Sequence, residues 1–375
     1  MKYKINFSTW LKMTVFLLSS SACVMPLHAQ TEGENFKWVD IKTLGVEGKG
    51  WEDATDYFGR LPAKAEATVP PPVWRLSKHT SGMYVRFKTD ASSLKVRWNL
   101  TGKNLSMTHF AATGVSGVDL YVNTGEKNWH WLSVGRPEKF PDNEATFFEG
   151  VEAKEREYLL YLPLYNGIES LMIGVPGEAD LRVAETDGKK PIVFYGTSIT
   201  QGGCASRPGM STTAILSRML DREIINLGFS GSGKMEPELA HLLAELDPSI
   251  YYLDCLPNMT PEQVSERVGP FVKILRERHP LTPIVLAEGV TYDNAFFIDS
   301  RNRRNVDSRK ALREAYENLL KDGVQNIFYQ IGEGQLGFDG EGTVDGTHPT
   351  DLGFWRQAQA YFPLLASIFE KENSR

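Results

Sequence analysis

Apolar and polar positions alternate in twos between about Lys37 and Val183. Met83, Val85 and Phe87 interleave with Tyr84, Arg86 and Lys88, and Leu94, Val96, Trp98 and Leu100 repeat the rhythm. Val118, Leu120 and Val122 follow, then Leu160, Leu162 and Leu164, then Leu171, Ile173 and Val175. Short alternating runs separated by Gly, Asn, Asp and Pro predict antiparallel sheets with one wet face, arranged as a β-sandwich or jelly roll without a helix of useful length. The period changes after Asp187-Gly188. Apolar runs at 192–195, 224–229, 250–256, 284–287 and 327–331 alternate with helical stretches near 212–220, 237–246, 261–278, 306–321 and 352–371. Five such units in series predict an α/β arrangement in which helices flank a five-stranded parallel sheet.

In open α/β sheets, ligands sit beyond the carboxyl ends of the strands. Three positions of chemical interest fall there: Ser198 after the first strand, Gly228 after the second and Asn258 after the third. Near the end of the chain, Asp345-Gly346-Thr347-His348-Pro349 sets a carboxylate three positions before an imidazole. A serine hydroxyl is a weak nucleophile until a neutral imidazole takes its proton, and a carboxylate must hold that imidazole in the right tautomer. Ser198, His348 and Asp345 fit those three jobs. Pro349-Thr350-Asp351 opens the last helix, which keeps His348 near a helix start.

Residues 190–365 resemble an SGNH (GDSL-type) hydrolase, a family of esterases, lipases and deacetylases named for blocks holding Ser, Gly, Asn and His. The first block is Gly196-Thr197-Ser198-Ile199-Thr200, with threonine where the family usually has aspartate. The second is Asn226-Leu227-Gly228, the third Pro257-Asn258-Met259 without the usual Gly-x-Asn-Asp, and the last runs from Asp345 to His348. Gly117-Val118-Asp119-Leu120-Tyr121 matches the Gly-x-Asp-Leu-Tyr signature of the β domain preceding some bacterial members. The resemblance implies a flavodoxin-like strand order, a Ser198-His348-Asp345 triad, and an oxyanion hole built from the Ser198 and Gly228 backbone N–H groups and the Asn258 amide. It also implies hydrolysis of small acyl esters, acetyl above all, on carbohydrate. A lipid-directed esterase or thioesterase, or a carbohydrate-binding protein with an inactive hydrolase half, are the competing functions.

Other polar residues have two readings each. Arg207 can contact a polar substrate or anchor its own loop. Glu288 and Glu333 follow strands and can line the mouth or bond to loop amides, and Asp119 can reach the mouth or act as a hydrogen-bonded strand carboxylate. The tryptophans at 38, 51, 74, 98, 129 and 131 suit sugar stacking, but most read as core.

The first 29 of the 375 residues differ in kind from the rest. Lys2, Lys4 and Lys12 precede the apolar run Met13–Leu18, and Leu27-His28-Ala29 offers a cleavage site, the pattern of a secretory signal peptide. Lipidation at Cys23 is the minor alternative. The apolar run is shorter than the ~20 residues a membrane span requires. The expected organisation is therefore a signal peptide at 1–29, a β-sandwich at 30–187 and an α/β domain at 188–375, exported to the periplasm or medium. Loss of the three lysines takes the formal net charge from −6 to −9, and no basic stripe suggests nucleic acid. No metal-ligand spacing, phosphate loop or dinucleotide pattern appears, so no metal or cofactor is expected. Beyond the signal, Cys204 and Cys255 remain; adjacent strands would allow a bridge between them, and two buried free thiols are the alternative.

Overall fold

The structure is a computed structural model and describes residues 35–373 except Thr186. The expected signal peptide and Cys23 lie outside the described residues. The front part comprises β1 (Phe36–Asp40), α1 (Pro71–Leu76), β2 (Tyr84–Thr89), β3 (Leu94–Leu100), α2 (Ala112–Val115), β4 (Val118–Asn123), β5 (Trp129–Gly135), β6 (Asp142–Phe148), β7 (Arg156–Tyr161), β8 (Ile168–Pro176) and β9 (Leu181–Val183). These strands form two sheets, ordered β1-β8-β3-β6 and β5-β4-β7-β2-β9, and every pairing within them is antiparallel. Val96, Trp98, Leu171 and Ile173 of one sheet meet Val85, Phe87, Val118 and Leu160 of the other in a single apolar core.

The outer face of the five-stranded sheet departs from the expected wet face. Tyr84, Tyr121, Leu159 and Tyr161 are buried there and pack with Ala214 of the following α/β part. The tyrosine rings explain how a strictly alternating pattern can bury both faces: their hydroxyl ends are polar, yet their rings pack as apolar groups. Trp98 is core, as read from its position, but Trp131 is 46% exposed on β5 with the Arg207 guanidinium over its ring at 4.9 Å.

The second part contains β10 (Ile192–Gly196), α3 (Ser198–Gln201), α4 (Thr212–Leu220), β11 (Ile224–Gly228), α5 (Pro237–Leu243), β12 (Ile250–Asp254), α6 (Pro261–Arg278), β13 (Ile284–Ala287), α7 (Asp299–Lys321), β14 (Ile327–Gln330) and α8 (Asp351–Asn373). Its sheet runs β11-β10-β12-β13-β14, all parallel, which is the flavodoxin-like order. Every residue of β10, β11, β12 and β13 is buried, as strands covered on both faces must be. Val193, Tyr195 and Leu253 point to one core, and Phe194 and Tyr252 to the other.

Capping fixes several helix starts. Thr260 and Gln263 make reciprocal side chain to backbone bonds with Pro261 between them, a capping box on α6. The α7 helix begins seven residues before the expected 306, because its first two turns are polar and lack an apolar stripe. Those turns reach loops: Arg301 bonds Thr347 Oγ1 at 2.8 Å and Arg304 bonds the Pro257 carbonyl at 2.8 Å. From Asn35 onward the chain packs as one compact unit. Among the described residues, no helix is long and apolar enough to cross a membrane.

Candidate active site

The interior strand β10 delivers Ser198 to the carboxyl edge of the sheet through a turn that only glycine permits. A Cβ on Gly196 would lie 2.1 Å from Thr200 Oγ1 and 2.7 Å from the Asp254 carbonyl. Thr197 caps the single turn of α3 by accepting from the Ile199 N–H, and Gly202 closes it at φ +97°. Ser198, first in that turn, has no intrahelical acceptor for its own N–H.

The Ser198 Oγ lies 2.9 Å from His348 Nε2, and His348 Nδ1 lies 2.7 Å from Asp345 Oδ2. The second Asp345 oxygen accepts the backbone N–H groups of His348 at 2.8 Å and Thr347 at 3.0 Å. Burial pushes the Asp345 carboxyl up, but these bonds from His348 and Thr347 outweigh it and hold the group below the usual carboxylate range. Gly346, at φ +82°, makes the tight turn between them. The loop is braced by Val344 N–H on the His348 carbonyl and by Arg301 on Thr347. Asp351 at the start of α8 accepts from the backbone N–H and hydroxyl of Ser206, tying the loop after the serine to the loop holding the histidine.

The neighbouring amides differ from expectation. The Gly228 N–H donates to Asn226 Oδ1 at 2.9 Å and so is not free for a substrate oxygen. Gly228 is glycine for packing: a Cβ there would sit 2.2 Å from the Gln201 nitrogen. Asn226, fully buried, also donates to the Thr200 carbonyl at 2.7 Å and Thr213 Oγ1 at 2.9 Å, so it brackets β11 against the serine turn. The loop 229–233 then folds back on β10, with Phe229 N–H on the Gly196 carbonyl and Ser230 N–H on Gln201 Oε1. Gly231 in that loop is exposed at φ +67°, and its N–H has no partner among the described residues. Asn258 Nδ2 reaches the Phe229 and Gly233 carbonyls at 3.4 and 3.3 Å, near the long limit for such bonds.

Residues from the front part complete the surroundings. Tyr165 donates to the Ser198 carbonyl at 3.1 Å. The His109 ring lies 5.8 Å from that of His348, centroid to centroid. Cys204, buried at φ +77°, lies close enough to both imidazoles for a donor atom of each of the three residues to fall within 4.8 Å of the others. The sequence offers no warning of this trio, since its members are far apart along the chain. Beneath the loop, Arg60 is 1% exposed and donates to the carbonyls of His79, Leu76, Asn226 and Gly228 at 2.7–3.1 Å.

A cleft of about 580 Å³ adjoins this edge, lined by Tyr165 and Ser230 together with Arg75, His79, Lys103 and Asn104. Another cleft, about 610 Å³, lies on the sandwich among Lys88, Val122, Phe148 and Tyr158 and includes none of the site residues. Of these two clefts the first is the one beside the site, since it shares Tyr165 and Ser230 with the serine's surroundings.

A model of the GDSL-like lipase/acylhydrolase family matches residues 189–366, and a model of the N-terminus of SGNH-hydrolase-type esterases matches residues 36–181. A crystal structure described as a GDSL-like lipase from Bacteroides ovatus is 37% identical over 90% of this chain and 98% of its own, with a TM-score of 0.85. The chain is an SGNH hydrolase. The same fold occurs in the salicylyl-acyltransferase SsfX3 of a tetracycline biosynthetic pathway (22% identity, 89% of this chain and 97% of that one, TM-score 0.71). It occurs again in a family two carbohydrate esterase from Cellvibrio japonicus (13%, 90% and 98%, 0.58). No curated protein matches the sequence. The family makes this SGNH hydrolase an enzyme of the esterase type.

Three side chains considered for substrate contact have different positions in the hydrolase. Arg207 is anchored by Asp119 Oδ2 at 2.7 Å and by the Tyr121 hydroxyl, while Asp119 Oδ1 accepts the Gly209 N–H at 2.9 Å. The Asp119-Leu120-Tyr121 segment thus secures the loop after the serine, with Arg207 as the anchor of that loop. Glu288 is buried and accepts from Tyr329 Oη at 2.7 Å, the Gly332 N–H at 2.8 Å and Arg313 at 3.2 Å, so it braces a strand end. Glu333 is exposed and lines a cleft of about 360 Å³ with Phe296 and Phe338.

Cys204 and Cys255 are both free and buried, and they belong to the cores on opposite faces of the parallel sheet, so strand adjacency does not bring them together. Asp254, at the end of β12, supports the serine turn from below, accepting from Tyr361 at 3.2 Å and Thr200 at 3.5 Å. Burial pushes its carboxyl up to about 7. The folded chain therefore holds this proton more tightly than the unfolded chain, and the associated stability is lost as pH rises from the ordinary carboxylate range through about 7. The Asp254→Asn variant is expected to remove about 2–3 kcal/mol of the stability loss between pH 5 and pH 8. Urea unfolding of both proteins at the two pH values checks this; equal pH slopes would contradict it.

Proposed function

We propose that this SGNH hydrolase is an exported serine esterase that removes acetyl groups from carbohydrate. The observation that carries the reading is the unbroken hydrogen-bonded series Ser198 Oγ, His348 Nε2, His348 Nδ1, Asp345 Oδ2. Ser198 Oγ attacks the ester carbonyl while His348 takes its proton, and the carbonyl π electrons move onto the oxygen. Collapse expels the alcohol, protonated by His348, and leaves the acetyl group on Ser198. Water, deprotonated by His348, then releases acetate and restores the serine. Asp345 keeps Nδ1 protonated and stabilises the imidazolium.

The oxyanion donors in this reading are the Ser198 N–H, the Asn258 amide and, in place of Gly228, the unpartnered Gly231 N–H. Each such donor contributes roughly 2.7–4 kcal/mol to lowering the barrier. Residues 30–187 act as the β-sandwich domain that shapes the cleft, and residues 1–29 direct export.

The carbohydrate assignment draws on the family and on the signal pattern. One observation favours larger apolar acyl groups instead: Phe296, Phe297 and Phe338 are 83–90% exposed on loops beyond β13 and β14. Acetate release from acetylated polysaccharides, compared with hydrolysis of acetyl and long-chain p-nitrophenyl esters, separates the two. The proposal expects kcat/KM for acetyl to exceed that for an eight-carbon acyl chain by roughly tenfold or more, the effect of about 1.4 kcal/mol. The reverse order would reject the acetyl reading.

A further inference from the structure

We propose that His109, Cys204 and His348 form a binding site for a borderline-soft divalent cation such as Zn²⁺, and that its occupancy switches the esterase off. A donor atom from each residue lies within 4.8 Å of those from the other two. Tetrahedral zinc, with bonds of about 2.0–2.3 Å, places its ligand atoms about 3.5 Å apart. The remaining gap is within reach of side-chain rotation, since His109 is exposed on the 101–111 segment with its ring centroid 5.8 Å from that of His348.

Three further observations fit a metal site. His348 Nδ1 is held by Asp345, so Nε2 is the nitrogen available to a metal, and a carboxylate behind the imidazole is the arrangement that orients metal-binding histidines. Cys204 is a non-glycine residue at φ +77°, a backbone conformation that places its thiol against the histidines at a local cost in strain. Two imidazoles and one thiolate suit Zn²⁺ and its softer congeners rather than Mg²⁺ or Ca²⁺, and they leave a fourth position for water.

Binding involves no redox change. The Cys204 thiol releases its proton to solvent as the sulfur bonds the metal, and the His348 Nε2 lone pair is donated to the metal instead of accepting the Ser198 hydroxyl proton. The general base is lost until the metal leaves. The inhibition rests on the proposed role of His348; the binding does not.

The test uses the full chain with p-nitrophenyl acetate. Micromolar Zn²⁺ is expected to abolish turnover, with recovery on adding a chelator. His109→Ala and Cys204→Ser, both active without metal, are expected to need roughly tenfold or more Zn²⁺ for the same inhibition, at least the effect of losing a supporting group. A second readout needs no activity: Co²⁺ added to Ser198→Ala is expected to give near-ultraviolet thiolate-to-cobalt absorption that disappears when Cys204→Ser is added. Unchanged zinc sensitivity in either single variant, no cobalt band, or a band that survives Cys204→Ser would overturn the site. A cobalt band that depends on Cys204 in a protein without esterase activity would instead reject the reading of Ser198 and leave the metal site standing.

Discussion

Replacing Ser198 by alanine is expected to lower kcat for acetyl esters on the order of 10⁶-fold, the scale seen when a serine nucleophile is removed from a functioning triad. The hydroxyl's partner in the structure is His348, and the substitution removes a single oxygen from a short turn whose cap, Thr197, is untouched. Stability is therefore expected to change by less than about 1 kcal/mol. Asp345→Asn should cost less, about 10⁴-fold, because the imidazole keeps its place but loses the partner that selects its tautomer. Adding Asp345→Asn to Ser198→Ala should have little further effect, since the residues act as a unit. Single-turnover kinetics and labelling by a fluorophosphonate check these outcomes. A Ser198→Ala protein that still releases acetate at more than about one per cent of the normal rate would place the chemistry elsewhere.

The largest effect on stability is expected from Arg60→Met. A buried guanidinium surrounded by four backbone carbonyls, without a carboxylate partner among the described residues, is held by those hydrogen bonds and by the Phe229 ring, whose centroid lies 4.8 Å away. Methionine fills much of the same volume but donates nothing, and each buried carbonyl left unbonded costs about 1–3 kcal/mol, less whatever water recovers. The expected loss is about 3–5 kcal/mol by denaturant unfolding. Arg60→Lys should recover only part of it, because an ammonium cannot span carbonyls from β11 on one side and from Leu76 and His79 on the other. Activity measured well below the unfolding transition should also fall in Arg60→Met, since the Gly228 carbonyl loses its anchor next to the loop carrying Gly231. Wild-type stability in Arg60→Met would show that the carbonyls find other donors.

The parallel sheet and the meeting of Ser198, Asp345 and His348 were legible in the sequence from two signals. Buried parallel strands read as continuous apolar runs whose carboxyl ends share an edge, which places Ser198 there, and the Asp345-x-x-His348 spacing just before the last helix supplies its partners. Gly228 misled because a glycine at a strand end has two causes, a free N–H beside a substrate or a close approach of backbones, and only the position of the Asn226 amide distinguishes them. The strands 36–40 and 142–148 escaped because they lie at the edges of their sheet and expose part of both faces. Arg207 and Glu288 were ambiguous because their partners, Asp119 and Tyr329, lie far away in sequence. His109 was invisible for the same reason, sitting in a loop without periodicity.

The placement of the two sulfurs bears on how this chain reaches its native form. With the parallel sheet standing between them, Cys204 and Cys255 cannot bridge without opening the cores that bury them, so this pair gives the folded protein no covalent lock. Its durability therefore rests on its apolar cores and on buried polar contacts such as those of Arg60, not on a bridge between these two sulfurs.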